Sequence, residues 1–197
     1  MIFKKSEFIV KKLETDEEYE QLLELRKKSY LNRPNVTKET ANSNVDISFF
    51  GDNLDKNSSI YLYIIDGTIK ASTRVLYGQE NNNFQIYSYF SNLPPFLTRT
   101  EELVEYSRAC VDPDYKYRTN ALVALFAEIT KEVNAKGYKA VVAATPENLV
   151  KLYTAIGFKN TGVSQMVSDP WASSPDEKLK LSLIYSPIEK FKTLLRF

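Results

Sequence analysis

The sequence predicts a mixed α/β fold: a single sheet with helical crossovers in its second half. Three observations point there. β-prone runs alternate with helical ones along the 197 residues instead of clustering. Asp66-Gly67 sits between two of those runs, as in a tight hairpin. Two apolar strands, around 103–112 and 139–146, are separated by a long amphipathic helical segment, the pattern of a parallel crossover. With 43% hydrophobic residues the chain can bury one sizeable core, so a single domain over residues 1–197 is expected.

Residues 8–14, FIVKKLE, read as a short first strand. DEEYEQLLELRKKSYL (16–31) then brings Tyr19, Leu22, Leu23, Leu25, Arg26 and Tyr30 to roughly helical spacing, with Asp16 in the N-terminal cap region. Residues 32–56 are rich in Asn, Thr, Ser and Asp and predict loops with one short helix. SIYLYIID and TIKASTRVLYG flank the Asp66-Gly67 turn and make 59–78 a hairpin. In QENNNFQIYSYFSNLPPFLTRTEE, Pro94 and Pro95 bar a central strand, so this stretch loops over the sheet. LVEYSRACVD (103–112) is a strand ended by Pro113, and TNALVALFAEITKEVNAKG is an amphipathic helix closed by Gly137. The continuous apolar run of KAVVAATP (139–146) suits a buried parallel strand. PENLVKLYTAIGF gives a further helix between Pro146 and Gly157. Two last strands, around 158–168 and 178–186, are joined by a Ser-Asp-Pro-Trp-rich loop, and IEKFKTLLRF predicts a terminal helix.

Composition removes several classes of function. The 26 Lys and Arg nearly cancel the 25 Asp and Glu, so no whole-molecule field draws the chain to nucleic acid or to an anionic membrane. Histidine is absent and Cys110 is the only cysteine. That argues against a metal site, an internal disulfide and Ser-His or Cys-His nucleophiles. No apolar run approaches the roughly 20 residues of a membrane span, and the first residues lack a cleavable-signal pattern. A cytoplasmic location without stable membrane insertion is expected.

EYSRACVDPDYKYRTNALVALFAEI (105–129) runs from a strand through a turn to a helix start. N–H groups that open a helix have no internal partner and lie at the positive end of its dipole, which suits a phosphate, and Arg118 adds a fixed charge. This hinge resembles that of the GNAT superfamily of N-acyltransferases, whose fourth strand leads into a pyrophosphate-cradling loop of pattern Gln/Arg-x-x-Gly-x-Gly/Ala. Here the loop reads RTNALV, with Ala121 and Val123 in the glycine positions. Their extra atoms predict less room for backbone to approach a phosphate. The resemblance implies a GNAT-like mixed, splayed central sheet with helices on both faces, and donor phosphates held by Tyr117, Arg118, Thr119, Asn120 and Ala121. PENLVKLYTAIGF is similar to another stretch of the superfamily. That similarity makes Tyr153 a candidate general acid toward the leaving thiolate; the alternative is a half-buried helix tyrosine.

A narrower resemblance runs through the N-terminal half. LLELRKKSY (22–30), GDNLD (51–55), KASTRVL (70–76) and EYSR (105–108) resemble, in order, Leu-Arg-x-x-x-Phe/Tyr, Asp-x-x-Asp, Arg-Leu and Glu-x-Ser-Arg. That series belongs to the acyl-homoserine-lactone (autoinducer) synthases and the related N-acyl amino acid synthases, and YFSNLPPFL sits where those families carry a Phe-Pro-Leu-Leu-type segment. Trp171 is the only tryptophan, so the one that autoinducer synthases carry shortly after the first helix is missing. The comparison therefore tilts toward the N-acyl amino acid synthases. In this group a long acyl chain, usually on acyl carrier protein, moves to the amino nitrogen of a small amino-acid-like acceptor.

The chemistry sets the residue roles. An amine must be unprotonated to attack a thioester, and an α-amino group of pKa about 8 is about a tenth neutral at pH 7. One carboxylate, acting directly or through water, suffices as base, and Glu105 is the candidate; otherwise it is an ordinary ion-paired glutamate at a strand end. On a regular strand Glu105 and Ser107 share one face and Tyr106 and Arg108 the other, unless a bulge intervenes. N–H groups after Arg108, with Val111 as candidate, would polarise the thioester carbonyl. Arg26, Asp52, Asp55, Arg74, Ser107 and Arg108 form the candidate acceptor-binding set, since an arginine fork grips a carboxylate at two points. The alternative for the Arg26, Arg74, Asp52 and Asp55 cluster is a structural ion network that braces the loop against the sheet.

Phe84, Tyr87, Tyr89, Phe90 and Phe96 either line an acyl tunnel, at about 0.8 kcal/mol per buried methylene, or fill the core. Cys110 reads as core. The basic run KLKLSLIYSPIEKFKTLLRF suits an acidic carrier protein or is a solvated face. The expected activity is acyl transfer, without a metal, from an acyl-CoA or acyl-carrier-protein thioester to a small-molecule amine acceptor. Two further readings are an acetyl-CoA-dependent N-acetyltransferase of a small amine or peptide, and a non-catalytic ligand-binding domain of the same fold.

Overall fold

Strands β1 (Phe8–Lys12), β2 (Ser59–Ile65), β3 (Thr68–Tyr77), β4 (Leu103–Val111), β5 (Ala140–Pro146), β6 (Lys159–Ser168) and β7 (Lys178–Pro187) form one sheet in the order β1-β2-β3-β4-β5-β7-β6. The helices are α1 (Asp16–Leu31), α2 (Ile86–Tyr89), α3 (Arg118–Ala135) and α4 (Val150–Ala155), with 3-10 turns between them. This computed structural model describes residues 7–33, 36, 45–79, 84–97, 99–169 and 176–190. Trp171 with most of its loop, residues 191–197 of the expected terminal helix, and much of the 32–44 stretch lie outside the described residues.

Local signals account for most element ends. The cap of α1 is Thr15, one residue before Asp16, because Thr15 has the extended backbone that lets a side chain fold back. Its hydroxyl accepts the Glu18 N–H at 3.2 Å, while the Glu18 carboxylate accepts the Glu14 N–H at 2.9 Å. Asp66 and Gly67 both have positive φ, 49° and 73°, as a two-residue turn matching the strand twist requires. A Cβ on Gly78 would lie 1.7 Å from the Thr100 carbonyl oxygen, so only glycine lets β3 pass beneath the start of β4.

The second half departs from simple crossovers. Only β4–α3–β5 yields a parallel pair; β7 returns antiparallel between β5 and β6. The parallel pairing is also short, since it joins only Leu103, Val104 and Glu105 to Ala140, Val141 and Val142. β5 then continues along β7 while β4 does not follow, and the sheet splays. The cause lies in β4. Ser72 pairs with Cys110 but Arg74 pairs with Ser107, so Arg108 and Ala109 together oppose Thr73. Such a bulge bends its strand, and here its first residue, Arg108, sits at φ 53°.

Both faces carry helices. On one, Leu125, Phe126, Ile129 and Val133 of α3 pack on Tyr61, Val75, Tyr77, Val104 and Tyr106, joined by Tyr153 and Ile156. The other face is covered in two pieces. Leu22 and Leu25 of α1 pack on Ile60, Leu62, Ile69 and Cys110, so Cys110 is core. Phe84, Ile86, Phe90 and Leu97 cover Leu76, Leu103, Val142, Leu181 and Leu183. Among the described residues no helix is long and apolar enough to cross a membrane.

Candidate active site

Where β4 and β5 part, a cavity of about 550 Å³ opens through the sheet. Tyr30, Gln85, Tyr89, Glu105 and Arg108 line it on the α1 face, and Tyr106, Phe126 and Tyr153 on the α3 face. Ala143, Ala144, Leu149, Val167, Leu179 and Leu181 give it an apolar wall. Arg33 and Asp169, paired at 2.8 Å, also line it.

Glu105 holds the last paired position of β4 before the splay. It is 1% exposed; its Oε2 accepts the Ile86 N–H at 3.3 Å and, among the described residues, its Oε1 has no partner. Burial pushes its carboxyl up to about 8, against the opposing pull of the Ile86 N–H and the Arg74 charge. Among the described residues it makes no ion pair, so it is not an ion-paired glutamate at a strand end.

The bulge resets which residues share a face. Regular alternation sets Arg108 with Tyr106, but Arg108 reaches Asp52 with Nη2 at 2.7 Å and lies over the Tyr30 ring, on the face of Glu105 and Ser107. A non-glycine residue at positive φ costs about 1–3 kcal/mol and persists where surroundings over-determine it. The Asp52 and Tyr30 contacts do so here. Beyond the bulge, Asp112 N–H donates to the Lys70 carbonyl at 2.8 Å on the β3 side. By strand alternation the Val111 N–H points to the opposite edge, where β5 has left. Val111 itself lies two residues past Ala109, the last β4 residue lining the cavity.

The Arg26, Asp52, Asp55 and Arg74 cluster forms, but away from the cavity lining. Arg26 grips Asp55 with Nη1 on Oδ2 at 2.6 Å and Nη2 on Oδ1 at 3.0 Å, while Arg74 Nη1 bridges Asp55 and Asp52. Asp52 also accepts the Leu54 and Asp55 N–H groups, and Arg74 Nε donates to Ser107 Oγ at 2.9 Å. Both arginines are wholly buried. Desolvation works against the Asp55 carboxylate, yet its bonds to Arg26 hold it below the ordinary range. The arrangement is the loop-bracing network. Of the six candidate acceptor residues, only Ser107 and Arg108 line the cavity.

Tyr153 lines the cavity from α4, its ring packed on Phe126 and Phe158, and burial pushes its phenol up to about 12. At the hinge, Tyr117, Arg118, Thr119 and Asn120 are exposed, and no side chain caps α3. They sit outside the cavity lining. Of the two residues in the glycine positions, Ala121 is fully buried in the α3 core and Val123 is half-buried against it.

The aromatic stretch divides between its two readings. Phe84 and Phe90 fill the core, Tyr87 and Phe96 are partly exposed, and Tyr89 alone of the five lines the cavity. Tyr106, Phe126 and Gln85 were not foreseen there. Gln85 did carry a signal, since it stands four residues before Tyr89 and shares a helical face with it.

No curated protein matches the sequence. Among solved structures, FeeM, an N-acyl amino acid synthase from uncultured soil microbes, superposes with a TM-score of 0.69 at 9% identity, over 96% of this chain and 95% of that one. TofI, in a ternary complex with an inhibitor and MTA, gives 0.66 at 13% identity, over 96% of each chain. An acetyltransferase of the GNAT family from Streptococcus pneumoniae gives 0.58 at 15% identity, over 92% of this chain and 99% of that one. These similarities establish the GNAT fold. The family model of the N-acyl amino acid synthase FeeM matches residues 21–169, most of the sequence, and the chain accordingly belongs to the N-acyl amino acid synthase FeeM family of N-acyltransferases.

Proposed function

We propose that this N-acyltransferase moves a medium or long acyl group from a thioester to the amino group of a small amino acid acceptor. The single observation that carries the reading is the cavity at the splay, which pairs an apolar wall with a buried carboxyl that has an unused oxygen. The apolar side suits an acyl chain, each methylene adding about 0.8 kcal/mol.

Glu105 takes the proton from the acceptor nitrogen. Its carboxyl, pushed up to about 8, matches an α-ammonium of pKa about 8, so transfer between them is nearly thermoneutral. The neutral nitrogen then attacks the thioester carbonyl and forms the new C–N bond; as the tetrahedral intermediate collapses the C–S bond breaks, the sulfur leaves as thiolate and the nitrogen's second proton passes to solvent. The Val111 N–H, directed to the edge that β5 has left, stabilises the charge that develops on the carbonyl oxygen. Tyr153 stays protonated and faces the cavity from the opposite side. Transfer of its proton to a thiolate of ordinary pKa about 8.5 is uphill, so it hydrogen-bonds the departing sulfur and solvent completes the proton balance. Ser107 and Arg108 line the acceptor end, while Arg26, Asp52, Asp55 and Arg74 hold that end in place.

The donor is carried by CoA or by acyl carrier protein. The uncapped start of α3, with Arg118, Thr119 and Asn120 exposed, suits a phosphate of either. The reading is tested by incubating the purified protein with decanoyl-CoA or decanoyl carrier protein and a mixture of the twenty amino acids. An N-decanoyl amino acid detected by mass spectrometry supports it. Turnover of acetyl-CoA alone, on any amine, overturns it in favour of a plain N-acetyltransferase.

A further inference from the structure

Gln85 and Tyr89 form a relay that no part of the proposed chemistry uses. Arg74 Nη2 donates to Gln85 Oε1 at 2.7 Å. A guanidinium has only donors, so the Gln85 amide must turn its oxygen to Arg74 and its NH2 away. That NH2 meets the Tyr89 phenol oxygen at 2.6 Å, and the oxygen accepts. The phenol hydrogen is thereby directed elsewhere, and among the described residues no group takes it. Tyr89 lines the cavity beside Glu105 and Arg108, whose charges both act on its phenol. Glu105 Oε1 and Arg108 Nε are likewise without partners. Tyr106 and Thr145 line the cavity too and their oxygens are also unpartnered, but the three unused groups that stand together on the α1 face are a donor phenol, a donor guanidinium nitrogen and a carboxyl oxygen.

We infer that Tyr89 determines acceptor specificity: its O–H, aimed by the Arg74–Gln85 relay, donates to the α-carboxylate of an amino acid whose nitrogen lies at Glu105. The inference rests on the amino acid acceptor proposed above. Tyr89 is then a binding residue and Gln85 a positioning residue. Arg74 serves both clusters, bracing the loop with one nitrogen and orienting the relay with another.

The probe is the amino acid that gives the largest product signal from the twenty, compared with its own α-carboxamide, at saturating decanoyl thioester. Tyr89→Phe removes the donor and keeps the ring. It raises KM for the acid about tenfold or more, the usual scale for a hydrogen bond to a charged group, with kcat little changed. KM for the amide moves far less, so the preference for acid over amide falls by a similar factor. Gln85→Glu tests the relay itself. One Glu oxygen replaces Oε1 on Arg74, and the other accepts the Tyr89 hydrogen, drawing it out of the cavity while the ring stays put. It reproduces the KM change of Tyr89→Phe, a result that ring packing alone would not give.

Equal changes for acid and amide in Tyr89→Phe overturn the inference. So does an unchanged acid KM in Gln85→Glu, and either variant alone is decisive if the other fails to fold. A parent enzyme that acylates the amide as readily as the acid overturns the acceptor reading itself, a result visible before any variant is made.

Discussion

Two polar clusters lie side by side on the α1 face of the sheet, and their carboxyl groups use their hydrogen-bonding capacity in opposite ways. In the loop-bracing cluster every carboxylate oxygen of Asp52 and Asp55 accepts at least one protein donor, and the buried atom left over there is a donor, Arg26 Nε. In the cavity cluster, Glu105 Oε1 and Arg108 Nε are left without partners, as is the Tyr89 hydrogen. Both clusters draw on the same motif series, LLELRKKSY, GDNLD and KASTRVL for the first and EYSR with YFSNLPPFL for the second. Residue type does not separate structural from chemical charge here. What separates them is whether the fold already fills the carboxylate oxygens, because a buried carboxyl oxygen without a donor is costly and is retained where a ligand supplies the partner.

The most severe way to break this contrast is Asp55→Ala. It leaves the wholly buried Arg26 guanidinium without its two-point partner, and breaking a buried pair on one side costs about 3–5 kcal/mol. Urea unfolding should show that loss, with activity falling in proportion to the folded fraction. A stably folded variant whose only defect is a raised acceptor KM would return Asp55 to the binding set. Glu105→Gln is the counterpart from the cavity cluster. It should lower kcat by about 10²-fold or more with the fold intact, on the usual scale of general-base effects, as measured by product formation at fixed thioester. An unchanged rate removes Glu105 from the mechanism.

The clusters should also respond oppositely to pH. The folded Glu105 carboxyl, raised to about 8, keeps a proton that the unfolded chain has lost above its ordinary value near 4.5. Its contribution is full below that value and is lost as pH rises through about 8. Melting curves of Glu105→Gln against the parent should therefore diverge from about pH 5 to pH 8 in favour of the variant. The slope is at most about 1.4 kcal/mol per unit. Asp55 is lowered in the folded state, so its stabilisation is present above its ordinary value and fades as pH falls below it. The gap between the parent and Asp55→Ala should accordingly narrow in acid.

Much of the fold was legible because local signals and tertiary fold agree. Asp66-Gly67, the Gly137 helix end and the apolar run at 140–146 each specify their element without distant help. The bulge was legible only as a condition. Nothing in the sequence marks Arg108 as left-handed; the conformation depends on Asp52 and Tyr30, residues 56 and 78 positions away. That one backbone turn decides which side Arg108 and Cys110 face, so a two-residue period misplaces them. The insertion of β7 between β5 and β6 has no local signature either. Gln85 was overlooked because its importance lies in the direction of one amide, set by Arg74 across the sheet. Family membership, for its part, removes the reading as a non-catalytic ligand-binding domain.

The smallest expected effect concerns the hinge, the one candidate region that touches neither cluster. Arg118 is exposed at the first turn of α3, where its charge is screened by solvent and salt and where N–H groups share the work of holding a phosphate. Arg118→Ala should therefore weaken a donor by only a few-fold in KM, leave kcat unchanged, and lose most of its effect at high salt. CoA carries phosphates beyond the one on the pantetheine arm, so decanoyl-CoA should lose more than decanoyl carrier protein. Equal losses with both donors would assign Arg118 to the shared pantetheine phosphate. No loss with either would leave the start of α3 outside donor binding and confine recognition to the splay.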